Sequence, residues 1–181
     1  GTRAPGRHVM DGVICGSNER STLIGVYRFL HELGFRWIRP GRDGEIVPDL
    51  DGLPSHRFHV RETASYLHRG ICIEGSVSEQ HVRDIIEWIP RVGMNGYFIQ
   101  FREAFTFFDR WYGRRDNPLE EGSDITIENA RRIVSNLSAE IAKRGLLYHA
   151  VGHGWTCEPF GIPGIEWERY AGAIPDETRK C

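Results

Sequence analysis

Several things are scarce or missing in this 181-residue sequence. Cysteine occurs four times, at Cys15, Cys72, Cys157 and Cys181, and never at C-x-x-C spacing. That removes a zinc ribbon and a thioredoxin-like dithiol from consideration. No apolar run approaches about 18 residues, so no membrane span is expected. No basic start leads into an apolar stretch, so no signal peptide is read. Neither charge dominates: 23 Lys and Arg against 25 Asp and Glu leave a formal net charge of −2. A dedicated nucleic-acid binder is usually strongly basic, so that class is set aside. There is no phosphate-binding G-x-x-x-x-G-K-[ST] loop, no G-x-G-x-x-G dinucleotide turn and no H-E-x-x-H metal motif. The G-x-S-x-G nucleophile elbow is missing as well. The length also falls short of the roughly 250 residues of a complete (β/α)8 barrel.

What is present is ordinary for a globular chain: 40% hydrophobic and 27% charged residues. The cations are almost all Arg, with Lys only at Lys143 and Lys180; Arg suits planar, bidentate contacts to carboxylates. Val13-Ile14-Cys15 is at most a weak strand. Leu23, Val26, Tyr27, Leu30 and Leu33 recur at the three-and-four spacing of a helix face. Ser21 or Thr22 would cap that helix and Gly34 would end it. Phe35–Ile38, Glu45–Pro48 and Arg57–Val60 read as short strands around Pro- and Gly-rich turns. Residues 1–62 therefore read as a small α+β piece.

A different pattern begins near Tyr66, and residues 63–181 form the second unit. Arg69–Gly75 reads as a strand, with Cys72 buried as a small hydrophobe. Ser76 and Glu79 fit a capping box. Val82, Ile85, Ile86 and Ile89 form the apolar face of the next helix, with Pro90 in its last turns and Gly93 closing it. Met94–Phe101 is a nearly continuous apolar strand of the kind buried in parallel sheets. The segment from Arg102 to Ser123 is too long for an ordinary βα connection, which marks it as functional or mobile. Ile127, Ala130, Ile133, Val134, Leu137 and Ile141 mark another helix, ended by Gly145, and Leu146–Val151 is a third strand. Residues 69–151 thus read β-α-β-α-β, the unit of a parallel α/β sheet.

Ligands in such folds meet the carboxyl ends of the strands. That rule selects Glu74 with Ser76; then Gln100, Arg102 and Glu103 beside Phe105, Phe107, Phe108, Trp111 and Tyr112; then His149, His153, Trp155 and Glu158. Carboxylates, an amide, imidazoles and aromatic rings suit a sugar, whose hydroxyls need polar partners and whose C–H faces need flat rings. Glycosidic cleavage needs two carboxyl groups flanking the bond, although a substrate acetamido group replaces the nucleophile in some enzymes. Plainer roles compete. Glu74 also complements a helix N-terminus, Arg102 and Glu103 also make an exposed pair, His149 in an apolar strand reads as a core histidine, and the aromatic cluster also serves as packing. His149, His153 and Cys157 would be the residues of a metal-dependent hydrolase, but a strand-to-loop run lacks helical i,i+4 geometry, and no metal or other cofactor is expected.

Ser21–Leu30, followed by Leu33-Gly34-Phe35-Arg36-Trp37 and Pro40, resembles the last helix and strand of the small domain that precedes certain glycoside hydrolase barrels. Bacterial α-glucuronidases and the β-hexosaminidases of glycoside hydrolase family 20 carry such a domain. Arg69–Glu74 is similar to their first barrel strand, and Trp88–Asn95 to their junction between helix one and strand two. The resemblance covers roughly residues 20–155. It implies a fold of a partial (β/α)8 barrel, its first three strands, behind an accessory α+β domain. It implies a polysaccharide or glycan as substrate, with Glu74, Gln100, Arg102, His153 and Trp155 as sugar-binding residues. The adjacent acidic pair of the hexosaminidases lies on strand four, so the general acid is expected beyond Cys181. Two departures stand out: no second Arg follows the strand-one acid, and strand two lacks the family's histidines. A non-catalytic carbohydrate-binding or scaffold protein with a degenerate barrel is the competing reading, and a self-contained flavodoxin-like domain is another.

Overall fold

A computed structural model gives the conformation of residues 12–50, 57–72, 78–98 and 126–149. Two units occur along the chain. The first is a helix with a hairpin: α1 (Glu19–Glu32), β1 (Arg36–Trp37) and β2 (Glu45–Ile46). β1 and β2 pair antiparallel, with Arg36 opposite Ile46 and Trp37 opposite Glu45. The second unit runs β3 (Gly70–Cys72), α2 (Glu79–Arg91), β4 (Gly96–Phe98), α3 (Ile127–Lys143) and β5 (Leu147–His149). Its three strands are parallel and lie in sequence order β3-β4-β5.

The helices form where aliphatic residues recur on one side. Val82, Ile85, Ile86 and Ile89 of α2 and Ala130, Ile133, Leu137 and Ile141 of α3 make one core with Tyr97 and Leu146. Ile85, Ile86, Ile89, Ala130 and Ile141 are at most 1% exposed. Burying each such side chain is worth roughly 1.5–3 kcal/mol, so this cluster is the main apolar stabilisation of the described chain. The glycines expected to close the helices do so at positive φ, at Gly34 (98°), Gly93 (79°) and Gly145 (61°), where a Cβ would be strained.

The caps differ from expectation. Asn18, not Ser21 or Thr22, caps α1, its Oδ1 accepting from the Ser21 N–H at 2.9 Å. Ser78 caps α2 by accepting from the His81 N–H at 3.1 Å. In both cases a second short polar side chain stands close by in sequence, and the local pattern does not choose between them. Arg57–Val60 forms no strand, and neither does the described stretch Val13–Cys15. The Arg57–Val60 region is held to α1 by side chains instead: Phe58 meets Phe29 edge to face at 5.9 Å, and Glu62 accepts from Arg28 at 2.7 Å.

The first unit docks on the second through a polar and aromatic latch. Trp88 of α2 donates its indole N–H to the Trp37 carbonyl at 2.8 Å. The Arg91 guanidinium lies over the rings of Tyr27 and Trp37, 5.9 and 5.7 Å from their centroids. It also pairs with Glu45 and with Glu87. Burial is the largest influence on Arg91 and lowers its pKa, but the Glu87 charge and the bonds with Tyr27 and Glu45 together outweigh it and hold it above the usual value. His31 bonds to the Arg91 carbonyl at 3.0 Å, and Arg20 donates to the Gly145 carbonyl at 2.7 Å. These partners sit at the C-terminal ends of α2 and α3, where unpaired carbonyls favour donors and cations. In a β-α-β unit the helix ends where the next strand begins. The first unit therefore packs at the strands' N-terminal end, and the strands' carboxyl ends point away from it.

Candidate functional site

The register aligns the last residues of the three strands. Cys72 is opposite Phe98, and Phe98 is opposite His149. This row is the described part of the carboxyl edge, where the rule for parallel folds places ligands. Glu74 follows Cys72 by two residues in sequence, Gln100 follows Phe98 by two, and His153 follows His149 by four. Glu74, Gln100, Arg102, His153 and Trp155 all lie outside the described residues, as do Ser76, Glu103, Glu158, Cys157 and the aromatic segment from Phe105 to Tyr112. Of the strand-end candidates, only His149 is described.

The two faces of the sheet are unlike. Side chains alternate along a strand, so Ile71, Tyr97 and Tyr148 share one face. Tyr97 is 3% exposed and Ile71 packs against the helix core. Burial pushes the Tyr148 phenol up, partly offset by a hydrogen bond with Ser138. Gly70, Cys72, Gly96, Phe98, Leu147 and His149 share the other face, which neither helix covers. Cys72 is exposed rather than buried, because it points to this side. The apolar run around it suggested cover on both faces; α2 and α3 cover one.

On the face opposite the helices, Gly70 leaves room for a ring, while Gly96 stands at ordinary contact distance from one. A Cβ at Gly70 would come within 3.1 Å of the Phe98 ring, and one at Gly96 would stand 3.5 Å from the imidazole of His149. Phe98 and His149 stack nearly parallel, 14° apart with centroids at 4.5 Å. His149 is half-buried, and its Nε2 meets His68 Nδ1 at 3.3 Å. Sequence reasoning placed His149 in the core as a satisfied histidine and named no partner for it. His68 lies 81 positions away, and no local pattern connects the two.

The N-terminal edge is closed by Asn95, which is 4% exposed. Its Oδ1 accepts from the Arg69 N–H at 2.8 Å and its amide donates to the Leu67 carbonyl at 2.7 Å. Its backbone N–H donates to the Arg69 carbonyl, and its carbonyl accepts from Leu147, both at 2.8 Å. One side chain and its peptide groups thereby tie together the entries of all three strands. The Arg69 guanidinium donates to the Gly93 and Tyr66 carbonyls at the same end, at 2.9 and 2.6 Å. Among the described residues no three His, Cys, Asp or Glu side chains gather as metal ligands, and no helix is long and apolar enough to cross a membrane. No family model, curated protein or solved structure matches the chain.

Proposed function

We propose that this chain is the sugar-binding part of a glycoside hydrolase, built from an accessory α+β unit and the first βα units of a (β/α)8 barrel. The observation that carries this reading is the sequential order β3-β4-β5 with α2 and α3 packed together against one face. That singly wound arrangement is what a barrel repeats, with the uncovered face as its interior. A doubly wound sheet also needs helices on its second face. The first unit packs at the floor end, which leaves the carboxyl edge clear for a ligand.

On this reading Glu74, Gln100 and Arg102 hydrogen-bond sugar hydroxyls, His153 serves as a further polar contact, and Trp155 stacks on a C–H face. They bind and orient the sugar. The proton for the leaving oxygen comes from a carboxyl group on a later strand, as in the hexosaminidases that the sequence resembles. The test is kcat/KM for glycan hydrolysis by the enzyme that carries these residues. Glu74→Gln and His153→Ala are expected to lower it several-fold or more, since transition-state contacts are lost. Unchanged values in both variants would overturn the site assignment.

A further inference from the structure

We infer that His68 and His149 form a two-histidine site for a borderline divalent transition metal ion on the uncovered face of the sheet. The argument is geometric. Two imidazole nitrogens that each lie about 2.05 Å from a tetrahedral ion are about 3.3 Å apart. His68 Nδ1 and His149 Nε2 are 3.3 Å apart.

The rings agree with the nitrogens. Imidazoles whose lone pairs converge on one tetrahedral ion have centroids about 5.2 Å apart, whereas a collinear hydrogen bond of this length would set them about 5.6 Å apart. The His68 and His149 centroids are 5.1 Å apart, with planes at 58°. The centroid spacing is thus closer to the value for a shared ion than to the value for a collinear contact.

The surroundings hold this arrangement. Phe98 stacks on His149 and fixes its plane. Both ligands are neutral imidazoles, which suit Cu²⁺, Ni²⁺ and Zn²⁺; Ca²⁺ and Mg²⁺ prefer oxygen. Among the described residues no third protein ligand joins them. This pairing differs from the His149, His153 and Cys157 set that spacing alone suggests, and it does not depend on the glycosidase reading.

The experiment titrates the 181-residue chain with Cu²⁺, Ni²⁺ and Zn²⁺ against a chromophoric chelator, with Mg²⁺ as a control ion. One ion per chain is expected, tightest for Cu²⁺ by the usual order for nitrogen ligands. His68→Gln and His149→Gln are each expected to weaken binding at least tenfold, while His59→Ala leaves it unchanged. A second measurement needs no variant: bound ion should protect His68 and His149 of the natural chain from carbethoxylation, read peptide by peptide. Absence of a bound ion, affinity in both Gln variants equal to that of the natural chain, or protection of other histidines instead of these two would overturn the inference.

Discussion

The two units of the chain are held by different physics. Between the sheet and its helices the contacts are aliphatic: Ile85, Ile86, Ile89, Leu137 and Ile141 exclude water almost completely. Between the first unit and α2 they are charged and aromatic, centred on Arg91, Trp37, Trp88, Glu45 and Tyr27. No residue of α1 itself is fully buried. Non-directional apolar burial scales with area and makes the β-α-β-α-β unit the stable part. The latch contributes less net energy, because Arg91 gives up hydration to form it. Its Nε is buried with no hydrogen-bond partner. The latch contributes orientation: it fixes where the small unit sits, at the end of the sheet opposite the proposed site.

Four substitutions break this contrast at graded cost. Ile86→Ala removes a fully buried side chain and should destabilise the chain by about 3–4 kcal/mol in urea unfolding. Asn95→Ala orphans the Arg69 N–H and the Leu67 carbonyl, for about 2–3 kcal/mol by the same measurement. Arg91→Leu should cost about 2 kcal/mol, between the roughly 0–1 of an exposed pair and the roughly 3–5 of a buried one. Its signature is local: faster hydrogen exchange in α1 and the hairpin, with α3 unaffected. An equal acceleration throughout α3 would refute the separation of the two contact types.

The smallest effect belongs to Glu140. A hydrogen bond from Arg144 is the main reason its carboxyl titrates below the usual 4.5. A folded-state pKa lowered in this way adds stability that is present above the unfolded value and lost as pH falls through the folded one. Glu140→Gln should therefore lower stability slightly at neutral pH and not at all in strong acid. A difference that grew on acidification would contradict the assignment.

The fold was legible where one signal dominated. In α3 the aliphatic spacing named Ala130, Ile133, Leu137 and Ile141, and all four are buried. It failed where neighbours compete or where tertiary cover decides. Asn18 and Ser78 are caps among several polar residues with similar claims. Arg57–Val60 alternates like a strand, yet Phe58 packs on α1 and no ladder forms. Cys72 reads as buried because an apolar run does not reveal that the described helices, α2 and α3, pack on the other face of the sheet. At the candidate site, sequence order places Glu74, Gln100 and His153 just after the three strands. The His68–His149 contact was invisible, since it depends on strand register across a distance that no periodicity spans.

Hydrogen–deuterium exchange of the chain, with and without oligosaccharides ending in glucuronic acid or N-acetylhexosamine, tests the central claim most directly. A sugar site at the carboxyl edge predicts slower exchange in peptides covering residues 70–76, 96–103 and 147–156, with residues 19–46 unchanged. Protection confined to residues 19–46, or none with any sugar, would contradict it.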